Sequence, residues 1–190
     1  VQAATGADTV TGPCISRVPA GSPAWLTEQP FLTVGSMSRP DGDEIDVAAT
    51  NNSLISARWL RDHPDLRFAD ELGVLGGEDV VFFRSAHALG MHIRYSAKGI
   101  VYANEPAARA TFRYHLCLNY WLGNTICVTH LHLGVAGRPR LLAHGVAILA
   151  DGLTRPMRRI VRGRPPQLRY AAALVARFWG VVLGVMGVRR

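Results

Sequence analysis

The sequence predicts an α/β fold over residues 1–125, followed by amphipathic helices over 126–190. Three observations carry that expectation. Short apolar runs of strand length are interspersed with longer segments of helical character. Glycine, proline and asparagine punctuate the boundaries between them. The charge also changes sign along the chain. Residues 1–137 hold nine arginines, Lys98 and thirteen acids, a net −3, whereas residues 138–190 hold eleven arginines against Asp151 alone, a net +10.

The 190 residues are enough for one domain and an appendage, and a hydrophobic content of 48% belongs to a globular or membrane-touching protein, not a disordered one. Cys14, Cys117 and Cys127 are an odd number with no close pairing, which argues against a disulfide framework and for a reducing compartment. The chain opens at Val1 with no initiator Met, basic n-region or apolar h-region, so no signal peptide is expected and the sequence reads as starting inside a larger protein. Nucleic acid is a poor partner for the basic segment. Its arginines are not interleaved with aromatics, and no nucleic-acid-binding motif is present.

Residues 8–18 read as a strand broken at Gly12-Pro13. Pro19 to Asp46 is a long loop with room for one helical turn, a length that usually serves binding. Its Asp41-Gly42-Asp43-Glu44 run has the letters of a metal-binding motif, but an Asp- and Gly-rich turn explains the composition better. Val47-Ala48-Ala49-Thr50 is a candidate buried strand, and Leu54 to Arg61 a helix. Asn51, Asn52 and Ser53 between them are either helix caps or groups that project into a cleft at a strand end.

Gly76-Gly77-Glu78-Asp79-Val80-Val81-Phe82-Phe83-Arg84 is a loop turning into a helix that ends at Gly90. Carboxylates in a first helical turn complement the free backbone N–H groups there. A carboxylate in this position that also faces a cleft can act as a general base. Met91 to Tyr95 alternates as a half-buried strand does, Gly99 to Asn104 is extended, and Ala107 to Leu122 is helical, with Arg109 and Arg113 on one face. His130 and His132, two residues apart, suit a strand face, with no third metal ligand nearby.

Leu141 to Leu153 is apolar with small residues, Arg155 to Arg164 is basic, and Gln167 to about Gly187 is helical. The longest uncharged run of this last segment, Phe178 to Val188, is eleven residues, short of the roughly 20 a spanning helix needs. Basic excess beside apolar faces points to helices lying in an anionic membrane interface, with a hairpin packed on the domain or on a second subunit as the alternative.

Four segments, in order, resemble the second half of a family 2 glycosyltransferase domain with the GT-A fold. They are Ala7-Asp8-Thr9-Val10-Thr11-Gly12-Pro13, Ala49-Thr50-Asn51-Asn52-Ser53-Leu54-Ile55, Gly76-Gly77-Glu78-Asp79-Val80-Val81-Phe82-Phe83 and Glu105-Pro106-Ala107-Ala108-Arg109. The resemblance covers residues 5–125 and is nearest to bacterial enzymes of exopolysaccharide and surface-glycan synthesis. It implies a partial GT-A mixed sheet without its N-terminal, nucleotide-binding half. It implies that Asp79 is the catalytic base of an inverting transfer from a nucleotide-sugar to a glycan or lipid-linked acceptor. Glu78 would support or contact the acceptor, and Asn51 and Asn52 would line its side of the cleft. Glu105 and Arg109 belong to the segment before the closing helix, with Arg109 a partner for the diphosphate. The resemblance implies Mg²⁺ or Mn²⁺ held mainly by an upstream Asp-x-Asp, and a peripheral place on the cytoplasmic face of the plasma membrane. Without the donor half, the chain by itself is expected to be inactive. The competing expectation is a non-catalytic, membrane-bound scaffold that keeps part of the fold.

Overall fold

The computed structural model describes residues 2–32, 39–73 and 76–188. In chain order the elements are α1 (Gln2–Thr5), β1 (Thr9–Thr11), β2 (Cys14–Arg17), α2 (Ala24–Glu28), β3 (Glu44–Ile45), β4 (Ser53–Ile55), α3 (Ala57–Asp62), α4 (Glu78–Ala88), β5 (Ile93–Tyr95), β6 (Val101–Asn104), α5 (Phe112–His132), α6 (Arg138–Val161) and α7 (Leu168–Val185). They form two compact units, Val1–Arg17 with Gly35–Ala103, and Val18–Val34 with Asn104–Arg190. The architecture is mixed α/β with a small mixed sheet, as the sequence predicts. The expected cut at residue 125 falls inside α5.

In the first unit the sheet runs β3-β5-β1-β4. β1 lies parallel to β5 (Thr9 opposite Ile93) and antiparallel to β4 (Thr9 opposite Ile55), and β3 is antiparallel to β5. The break at Gly12-Pro13 falls as expected. Pro13 has no N–H for a ladder, so the chain leaves the sheet there and β2 pairs with β6 instead. The core joins Phe82, Phe83 and Ala86 of α4 to Ile45, Trp59, Met91, Ile93 and Tyr95, and Phe68 stacks on Phe82 at 4.2 Å between centroids. These apolar contacts fix α4, and with it the position of Glu78 and Asp79 at its start.

Three local expectations are corrected. Val47-Ala48-Ala49-Thr50 is not a strand. Thr50–Asn52 forms a 3₁₀ turn closed by Asn52 N–H donating to the Ala49 carbonyl (3.3 Å), and the strand register is taken three residues later by Ser53–Ile55. The following helix begins at Ala57, because Ser56 is the residue whose hydroxyl accepts from Trp59 N–H; Asn51 and Asn52 are not its caps. The helix expected over Ala107–Leu122 starts at Phe112, capped by Thr111, and continues to His132. His130 and His132 are therefore helical, and His130 Nδ1 turns back onto the Ile126 carbonyl at 2.7 Å. Arg109 sits in a separate 3₁₀ turn, so it does not share a helix face with Arg113. Residues 33–38 of the long loop lie outside the described residues.

In the second unit α7 packs on both α5 and α6, which barely touch one another. α5 and α7 run parallel: Ala173 packs with Phe112 and Leu116 near their starts, Gly180 lies against the backbone of Tyr120 and Asn124, and Gly184 lies against Cys127 further along. α6 runs antiparallel to α7, with Gly145 against Val181 and Gly152 against Leu174. The sequence breaks seen from Leu141 to Arg164 disappear, since α6 continues through the basic run and Pro156. Among the described residues α7 is the one helix that is, by length and composition, apolar enough to cross a membrane.

His115 is the notable buried titratable group of this unit. It is 4% exposed and boxed by the rings of Trp25 (5.7 Å), Phe31 (4.9 Å) and Tyr114 (5.3 Å). Burial holds its pKa below the ordinary histidine value, while the Arg109 backbone and the Glu105 carboxylate pull weakly the other way. A folded-state pKa below the unfolded one makes stability full above about pH 6.5, and stability is lost as pH falls from there through the folded value. Unfolding midpoints in urea therefore fall between neutral and mildly acidic pH, and the fall is smaller in His115→Phe, which keeps the ring but cannot take a proton. An identical pH dependence in the variant would refute the assignment.

Candidate functional site

The end of β1, the Thr50–Asn52 turn and the Ser96–Gly99 turn enclose a cavity of about 560 Å³. Each wall is tied to the next. Thr11 Oγ1 donates to the Asn52 carbonyl (2.8 Å), and Gly12 N–H donates to the same oxygen (3.3 Å). Asn52 Nδ2 donates to the carbonyls of Pro13 (2.9 Å) and Gly99 (2.6 Å). The Asn52 amide is thus spent on clamping three loops, which makes it a positioning residue here rather than a free contact. Asn51 is exposed and lines the cavity. Gly12 must be glycine, because a Cβ there would collide with the carbonyl oxygens of Gly99 and Ser96.

Glu78 and Asp79 open α4 behind Gly77, whose left-handed backbone (φ 91°) turns the chain into the helix. Gly77 offers no side-chain cap. Asp79 instead accepts from the adjacent Val80 N–H through Oδ1 at 2.8 Å. Glu78 Oε2 is buried and has no hydrogen-bond partner among the described residues. A buried carboxylate oxygen without a donor is costly, so a donor group that reaches it gains more than a hydrogen bond at an open surface would. Neither carboxylate is among the residues lining the cavity beside Asn51 and Asn52.

Glu105 and Arg109 belong to the second unit, where they pair with each other at 3.2 Å, and the Arg109 guanidinium lies 5.7 Å from the Tyr114 ring centre. The Asp41–Glu44 run is engaged in intramolecular contacts. Asp41 Oδ1 accepts from Ala97 N–H (2.8 Å), Asp43 is 3.6 Å from Arg39, and Glu44 pairs with Arg94 (3.1 Å) and His92 (3.5 Å). These acids serve the turn and the sheet edge and do not fit a divalent cation site. Among the described residues there is no cluster of three or more metal-ligating side chains.

No family model, curated protein or solved structure matches the chain. The site must therefore be read from its own geometry. Thr11, Ser96 and Gly99 join it without having been singled out from sequence. The signal for them was weak: Gly99 marks only the start of an extended run, and its approach to Gly12 depends on the parallel pairing of β1 with β5.

Proposed function

We propose that residues 5–125 are the acceptor-side part of an inverting glycosyltransferase of family 2, with a partial GT-A fold, acting in cell-surface polysaccharide synthesis. The observation that carries this reading is the carboxylate pair at the start of α4. Asp79 accepts from the Val80 N–H, Glu78 has a buried oxygen without a partner among the described residues, and the helix behind them is anchored by Phe82 and Phe83. In the same unit Gly12 and the Thr50-Asn51-Asn52 turn, from segments that resemble the same family, meet at one cavity.

In this mechanism an acceptor hydroxyl donates to Glu78 or Asp79 as it docks. Its oxygen attacks the anomeric carbon of a nucleotide-sugar, Asp79 takes the hydroxyl proton, and the bond to the nucleoside diphosphate breaks with the electron pair leaving on the diphosphate. Attack opposite the leaving group inverts the anomeric carbon. Asn52 holds the loops and Asn51 faces the acceptor. A divalent cation is assigned no residue of this chain.

The test is the stereochemistry of the product. A protein carrying this segment behind a nucleotide-binding half is given a donor of known anomeric configuration, and the first-formed linkage is read by proton NMR. Inversion is expected, and retention would sink the mechanism. The second reading, a non-catalytic scaffold, is favoured by one observation: Asp79 does not line the Asn51–Asn52 cavity. It predicts no transfer under any donor.

A further inference from the structure

α6 has three distinct sides. One, carrying Leu141, Gly145 and Gly152, is buried. A second carries Asp151 with the arginines that pair to it, Arg155 and Arg158. The third is apolar and exposed. Leu142, Val146, Leu153, Met157 and Ile160 recur at the helical spacing that places them in one stripe, and Leu153 and Met157 are 67% and 65% exposed.

α7 repeats the pattern. Its buried residues Ala171, Leu174 and Val181 lie toward α6, while Leu168, Trp179 and Met186 form an exposed stripe, with Met186 71% exposed. Because the helices are antiparallel and each turns by roughly 100° per residue, the two stripes lie on the same side of the α6–α7 pair. A soluble chain has no use for two adjoining open apolar stripes unless something covers them.

We infer that this joint face of α6 and α7 is the surface on which the protein lies on an anionic phospholipid bilayer, with both helices in the plane of the interface. Charge complementarity selects the occupant. Arg159, Arg162, Arg164 and Arg169 flank the turn from α6 to α7, and residues 138–190 carry a net +10. Such a cluster meets acidic headgroups while the stripes enter the acyl boundary. A second copy docked face to face would set one +10 segment against another, which disfavours a homodimer through this face. Arg177, half-buried on the side of α7 away from the stripe, suits a helix lying in the interface better than one crossing the membrane. The inference stands apart from sugar transfer, because none of these residues belongs to the proposed acceptor site.

The experiment is co-sedimentation of the full chain with vesicles, scored without any sugar donor. Vesicles of phosphatidylcholine with about a quarter phosphatidylserine are expected to bind at least ~10-fold more protein than phosphatidylcholine alone, and salt weakens that binding. The double variant Leu153→Glu/Met157→Glu changes only exposed positions, so its helix content by circular dichroism stays that of the wild type. Its vesicle binding is expected to fall by ~10-fold or more, since two apolar anchors become charges that anionic lipid repels. Arg162→Glu/Arg164→Glu is expected to remove the preference for phosphatidylserine. Undiminished binding by the Leu153/Met157 variant overturns the inference. So does light scattering that shows a dimer in the wild type and a monomer in that variant without lipid, because the face would then belong to a second copy.

Discussion

On the proposed mechanism, Asp79→Asn in a protein that carries this segment behind a nucleotide-binding half is expected to lower sugar transfer by about 10²- to 10⁴-fold, the range a general base contributes, while the donor binds with unchanged affinity. The substitution is nearly isosteric. The amide oxygen still accepts from Val80 N–H, so the start of α4 keeps its one local side-chain tie. What is lost is the basicity that removes the acceptor proton. The fold is not at risk. A carboxylate in a first helical turn is worth roughly 0.3–1 kcal/mol, well inside what the Phe82–Phe83 anchoring of α4 sustains. The measurement is the initial rate at saturating acceptor, with donor binding followed separately by calorimetry. On the proposed mechanism Glu78→Gln acts mainly on acceptor KM, because the role given to Glu78 there is to accept from the docking hydroxyl and not to remove its proton. A wild-type rate in Asp79→Asn would end the catalytic assignment, whatever the fate of the membrane face.

The first unit was legible wherever chemistry is local. Pro13 cannot join a ladder, Gly90 ends α4 with φ 93°, and two acids behind two glycines mark a helix start. Each depends on a few neighbouring residues. Asn52 was harder. Sequence allows it to cap a helix or face a cleft, and it does neither of these simply, because its amide bridges Pro13 and Gly99, which are distant in sequence. The strand misplaced onto Val47-Ala48-Ala49-Thr50 has the same origin. Those residues are apolar, but β1 selects Ser53–Ile55 by register, and register is a property of the pair. The pairing of Glu105 with Arg109, four residues apart, could have been read from spacing. The cavity could not, since it is made where strand ends from separate stretches converge.

The helical layer was least legible, because its decisive residues look like helix breakers. Gly123 lies inside α5, and Gly180 and Gly184 inside α7. Intrinsic propensity counts each as a loss of about 1 kcal/mol relative to alanine. Their purpose appears only once the parallel neighbour is in place. Added Cβ atoms at Gly123 and Gly180 would run into backbone carbonyls of the opposite helix, and one at Gly184 would sit 2.7 Å from Cys127 Cβ. The same closeness lets Asn124 Nδ2 reach the Val188 carbonyl at 2.8 Å. It also buries Cys127, whose thiol is pushed up to about 11 by desolvation. Small residues at a helix crossing are how backbones approach closely, in water or in lipid.

Gly180→Ala is accordingly expected to destabilise the second unit by about 3 kcal/mol or more, at or beyond the upper end of ordinary overpacking. The obstacle is the Tyr120 carbonyl, which belongs to the helix backbone and cannot rotate away as a side chain would. α5 and α7 must separate, and Cys127 and Val181 lose contact with each other as they do. The roughly 1 kcal/mol that alanine gains in helix propensity does not offset this. Gly137→Ala is the control without a steric clash: its nearest neighbour is a Pro139 ring carbon at 3.8 Å and its φ is −78°, so only the weaker N-cap of α6 is felt, an effect of about 1 kcal/mol. Urea unfolding followed by circular dichroism separates the two. Equal midpoints for Gly180→Ala and the wild type would mean that the helices do not touch through their backbones. If instead Gly180→Ala unfolds early, α7 is held from one side by α5 through glycines and from the other by α6. Its Leu168–Trp179–Met186 stripe is then left open as a consequence of how the layer is built, and a bilayer has a fixed surface to meet.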